Sequence, residues 1–138
     1  MKKFIAAGAL LAGILMVTRP AVAHHSFAAE FDSKKPIKLD GVVTKVEWTN
    51  PHVWIYLNVK DEAGKVTNWG AELGPPHGLQ RRGWKRETLT IGTPISVDGF
   101  LAKNGASRVN ARNVTVAGTG KSPQTLDAAS SSGGADKE

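Results

Sequence analysis

Four histidines, His24, His25, His52 and His77, are the only imidazoles in this 138-residue chain, which has no cysteine. Metal chemistry in such a chain must draw on nitrogen and oxygen donors, and zinc fingers and catalytic thiols are excluded. His24 and His25 directly follow Ala21-Val22-Ala23, small residues of the kind a signal peptidase reads. Cleavage after Ala23 would make His24 the chain terminus. Its amine, titrating at about 7.7–8.0, would then lie in chelating reach of its own ring, at about 6.5, and both nitrogens are partly unprotonated near neutral pH. That donor pair suits Cu(II) or Ni(II), with Zn(II) behind. The expectation is a metal site built from His24, His25 and His52, with an acid such as Glu30 in support and copper as the cofactor. The alternative, a solvated chain end and a histidine that only closes a turn, stays open.

A second group is aromatic. His52, Trp54, Tyr56 and Asn58 alternate with Val53, Ile55, Leu57 and Val59, which places the two sets on opposite faces of a strand. The first set, with Glu72, would line a surface on which rings stack and polar groups orient a ligand. This gives the competing reading, a metal-free module that holds a glycan, a peptide or an envelope protein. The run Arg81-Arg82-Gly83-Trp84-Lys85-Arg86 sets four cations around one ring. It can grip a phosphate or a carboxylated sugar through Arg81, Arg82 and Trp84, although such runs are more often solvated faces. No serine has a nucleophile-elbow context and the acids are scattered singly, so enzyme is the weaker class.

The elements that must position these groups are strands. Met1-Lys2-Lys3, an apolar run from Phe4 to Val17 and Arg19-Pro20 ahead of Ala23 form an export leader over 1–23. That run is shorter than the ~20 residues a membrane span requires, so no stable span is expected and the product is expected to be periplasmic or secreted. The formal charge of +6 falls to +3 once Lys2, Lys3 and Arg19 leave with the leader, which removes most of the case for a nucleic-acid partner. Residues 118–138 are Gly, Ser and Ala with few large apolar side chains and should form a disordered tail.

Between them, residues 24–117 read as one domain. Strands are expected at 37–48, with a bulge or bend at Gly41, and at 52–60, 66–73, 95–101 and 108–116. The apolar parity of the last slips from Val109 and Ala111 to Val114 and Val116, as a bulge requires. A short helical or irregular linker over 79–89 separates the third and fourth strands. This order predicts an all-β domain, a small five-stranded OB-like Greek-key barrel, in which closure removes the exposed sheet edges that a disulfide-free exported domain would carry.

Two resemblances follow from the residues. His24 at a chain terminus is similar to half of the histidine brace of copper monooxygenases. Only that residue matches, so a copper-dependent oxidoreductase ranks last among the readings. The segments His24-His25-Ser26-Phe27-Ala28-Ala29-Glu30-Phe31-Asp32, Gly41-Val42-Val43, Glu47-Trp48-Thr49-Asn50-Pro51-His52 and Leu79-Gln80-Arg81-Arg82-Gly83-Trp84 together resemble a family of small exported bacterial proteins classed as a domain of unknown function. The likeness spans about His24 to Val116. It implies an exported single domain of OB-like β architecture with no established activity, and it leaves His77 outside the pattern.

Overall fold

The computed structural model describes residues 27–117 and 123–129. The expected leader, and His24 and His25 with it, lie outside them. A single turn of helix, α1 (Phe27–Glu30), leads into a 17-residue strand, β1 (Phe31–Glu47). There follow β2 (Trp54–Lys60), β3 (Val66–Glu72), the short helix α2 (Pro76–Arg81), β4 (Pro94–Ala102), β5 (Arg108–Val116) and β6 (Gln124–Asp127). The chain is mostly β. Among the described residues, no helix is long and apolar enough to cross a membrane.

One sheet runs in the order β3-β2-β1-β4-β5-β6, antiparallel throughout, and β3 also pairs in parallel with β5. The length of β1 is what lets it serve two partners: Phe31 to Val42 pairs with β4, and Gly41 to Glu47 pairs with β2. Gly41 has a partner on both sides, Val59 and Ile95. A Cβ there would sit 2.5 Å from the Asn58 carbonyl oxygen, so glycine is needed for the backbones to meet. The expected irregularity falls three residues later, where the register with β2 skips Thr44 between Val43 and Lys45. In β5 the parity slip is a bulge at Arg112, since Asp98 faces Asn113 while Gly99 faces Ala111.

The inward faces are those the alternation assigns. Val53, Ile55 and Leu57 on one side, and Val97, Val109, Ala111 and Val114 on the other, are at most 1% exposed. Leu79, Trp84 and Leu89 from the linker join the same cluster. Three sequence expectations need correction. The linker helix spans Pro76–Arg81, not 79–89, because Gly83 ends it. With φ +91°, Gly83 donates to the Gln80 carbonyl and Trp84 to the Leu79 carbonyl, both at 3.1 Å, a Schellman stop closed by Leu79 and Trp84 in the core. There are six strands among the described residues where five were expected. The sixth lies inside the segment read as a disordered tail: Leu126 and Ala128 are buried at 7% and 0%, and two well-placed apolar side chains suffice to dock a short polar strand on the edge of β5.

Candidate functional site

The outward face of β2 carries Trp54, Tyr56 and Asn58, and the register sets Glu72, Gly70 and Asn68 of β3 opposite them. On the other side of β3, the parallel pairing brings Arg108 beside Gly70 and Asn110 beside Glu72. From β1, Glu47 faces Trp54 and Lys45 faces Tyr56. Residues far apart in the chain thus meet on one outer surface. The short helix α1 docks on β1 and β4: Phe27 packs edge-on against Phe100 and stacks on Phe31, and the Lys103 amide donates to the Glu30 carbonyl at 2.9 Å.

The same surface holds a cluster of polar groups. Glu72 and Asn110 are the buried polar residues among those described, at 7% and 4% exposure. His52 Nδ1 lies 2.6 Å from Glu72 Oε1, and a single proton between them joins the pair whichever partner carries it. Burial pushes the Glu72 carboxyl up to about 7, the charge of Glu30 adds to the shift, and Arg108 opposes it. A perturbed acid hydrogen-bonded to a histidine, next to a second acid and an arginine, is the kind of cluster that functional sites assemble. A cleft of about 160 Å³, lined by Glu30, Lys103, Asn104 and Arg108 among others, opens beside it.

The aromatic residues form a column along the sheet. The Arg108 guanidinium sits 4.7 Å from the Trp54 ring centroid, Trp54 stacks on Tyr56 at 6.4 Å and 22°, and Lys45 Nζ lies 5.3 Å from the Tyr56 centroid. The Tyr56 hydroxyl donates to Glu47 Oε2 at 3.2 Å, and Lys45 pairs with Glu47. The rings therefore already have partners in the fold. Centroids 6.4 Å apart leave no slot for a flat ligand between them.

The structure brings together His52, Trp54 and Tyr56 of the sequence-derived site residues. His24 and His25 lie outside the described residues. Asn58 is exposed and accepts a hydrogen bond from Asn68 Nδ2 at 2.9 Å. It stands six residues along the strand from His52, about 20 Å away. Arg81, Arg82 and Trp84 belong to another part of the molecule. Arg81 is exposed on α2. Trp84 is 2% exposed and donates its indole N–H to the Asp127 carbonyl at 2.8 Å, while Arg82 pairs with Asp127 and donates to the Ala129 carbonyl. The expected anion grip is thus corrected for those two residues: their donors hold β6. Arg108 and Asn110 were missed, because nothing in their local sequence announces a pairing with a strand 38 residues earlier. Glu72 was placed on this surface by the sequence, and its burial had a signal as well, an acid set between Ala71 and Leu73 in an apolar stretch.

Among the described residues, no three His, Asp or Glu side chains are gathered closely enough to hold a metal ion. Any such centre would need donors from beyond them. Fold and site define a small, mostly β domain in which a half-buried histidine meets a buried glutamate. The chain belongs to a family of unknown function, DUF6152, whose model matches residues 11–119. No curated protein and no solved structure matches it.

Proposed function

We propose that the chain is an exported, periplasmic binding module with an OB-like barrel of β1 to β5, and that it holds a divalent metal ion, Cu(II) foremost, through His24, His25 and His52. The barrel reading is supported by the circuit of pairings that runs from β3 through β2, β1, β4 and β5 back to β3. The metal reading is carried by the His52–Glu72 contact at 2.6 Å. A carboxylate on one ring nitrogen fixes the orientation and tautomer of the imidazole and raises the basicity of the other nitrogen, the arrangement that accompanies histidine ligands at metal centres. The pair also sits where the chain arrives from its N-terminal end, since the charge of Glu30, the last residue of α1, is felt at Glu72.

In this reading the terminal amine and ring of His24 chelate the ion, His25 or His52 completes the nitrogen set, and Glu72 holds His52 in place. Intact mass of the exported protein and titration of the mature chain with Cu(II) and Zn(II) test it. Cleavage before His24 and loss of at least tenfold in Cu(II) affinity for both His24→Ala and His52→Ala are expected. Residues retained ahead of His24, or parental Cu(II) affinity in His24→Ala, would end the proposal.

A further inference from the structure

The last strand reaches the His52–Glu72 pair through a short chain of backbone hydrogen bonds. The Gly74 amide donates to the Ala128 carbonyl at 3.0 Å, the Val53 amide to the Gly74 carbonyl at 3.1 Å, and the Leu73 amide to the Val53 carbonyl at 2.8 Å. Val53 is the residue after His52, and Leu73 the residue after Glu72. Every residue in this relay is buried, with Ala128 and Leu73 at 0% and Val53 at 1%. Withdrawal of Ala128 would strand the Gly74 amide in a dry environment, and the segment 72–74 would have to move to find it an acceptor.

The strand itself is lightly held. It is four residues long, with Gln124, Thr125 and Asp127 exposed, and its one ladder is with β5. Its anchors are Leu126 and Ala128 in the core, the Trp84 N–H on the Asp127 carbonyl, Arg82 on Asp127, and the Ala128 amide on the Arg112 carbonyl at 2.8 Å. A short edge strand with two apolar anchors is the kind of unit that opens well before the rest of a domain unfolds. It also lies beyond the segment that the family model matches, which ends at residue 119.

We infer that β6 is a releasable strap that positions the His52–Glu72 pair: docked, it fixes the backbone that carries both side chains, and released, it loosens them together. The consequence for metal affinity rests on the proposed function, whereas the consequence for the geometry of the pair does not. Events that draw the tail away, such as a competing strand or cleavage within it, would thereby lower the affinity of the site without touching a ligand. The residues Arg82 and Trp84, which the sequence offered as a ligand grip, become the buckle of the strap.

The test uses the full mature chain. Leu126→Glu should release β6, and Trp84→Phe should weaken its hold while keeping a ring in the core. Thr115 and Thr125 face each other in the ladder with hydroxyl oxygens 2.9 Å apart. Because the chain has no cysteine, Thr115→Cys with Thr125→Cys supplies a single thiol pair that locks the strap when oxidised. Amide exchange at Gly74 and Val53, the NMR signals of the His52 ring and the Zn(II) dissociation constant are measured for each variant.

Release should speed exchange at both amides, shift the His52 ring signals and weaken Zn(II) binding about tenfold, the equivalent of one buried hydrogen bond. Adding the lock to Trp84→Phe should restore parental values, and reduction should remove them again. Should Leu126→Glu free the Ala128 amide to exchange while the His52 signals and Zn(II) affinity stay parental, the strap does not govern the site. Should Leu126→Glu fail to fold, the locked Trp84→Phe protein decides: identical His52 signals and affinity in its oxidised and reduced forms overturn the inference. A parent protein that binds neither Zn(II) nor Cu(II) ends the metal reading alone, and the His52 signals still judge the strap.

Discussion

Glu72 is an acid that the fold keeps nearly dry, and its protonation should be visible in stability. Burial first, and then the charge of Glu30, lift its carboxyl to about 7 from an ordinary 4.5. The folded state therefore holds the proton more tightly than the unfolded chain. The contribution of Glu72 is most favourable below about 4.5, is lost as pH rises toward 7, and is level above that. For metal-stripped protein the decline should amount to about 3 kcal/mol in urea titrations, and Glu72→Gln should flatten it. A parent profile with no slope between pH 5 and 7 would show that the carboxyl is not held protonated by its burial. Arg108 acts against this shift from its seat on Trp54, so Arg108→Gln should raise the Glu72 pKa further and cost about 1 kcal/mol in the same titrations. His52 was legible as a site residue because it opens an alternating strand on its outward parity. The dryness of Glu72 was not, since its neighbour across the parallel seam, Asn110 of β5, lies 38 residues on in the chain.

Among the elements, the strands were readable and the ends were not. Alternation of Val53, Ile55 and Leu57 with Trp54 and Tyr56 carries its own evidence of a two-faced strand, and the slip between Ala111 and Val114 located the Arg112 bulge. Gly83, inside the stretch expected to be helical or irregular, is the device that stops the helix. Its left-handed backbone makes Gly83→Ala cost about 1 kcal/mol. Gly41 answers to a different constraint, the Asn58 carbonyl 2.5 Å from where a Cβ would stand. Gly41→Ala must push β1 and β2 apart, at about 2 kcal/mol, the ordinary cost of overpacking. Denaturation midpoints of the two variants check both figures, and a neutral Gly41→Ala would mean that the strands can part freely there. Composition hid β6: a tail of Gly, Ser and Ala gives no periodic signal, and its docking depends on partners elsewhere in the chain, Val114 opposite Leu126 and the Trp84 N–H on the Asp127 carbonyl, rather than on its own propensity.

At the scale of the whole molecule, order depends on pairings between distant segments. β1 must find β4 some sixty residues on, and β3 must find β5 across the linker. Such a topology folds slowly for its size, and refolding followed by tryptophan fluorescence should take milliseconds to seconds rather than microseconds. The parallel contact of β3 with β5 is only three residue pairs long, Gly70 to Glu72 against Arg108 to Asn110, yet it is where Glu72, Arg108 and Asn110 come together. Any molecule seated on them would span that seam and hold two distant parts of the chain together. Binding and global stability are then one measurement. A ligand present at a hundred times its dissociation constant adds about 2.7 kcal/mol to the folded state, a shift in melting temperature on the order of 10 °C for a domain of this size. Thermal-shift screening of metal salts, oligosaccharides and peptides would therefore find the natural ligand without any assay of what the protein does with it.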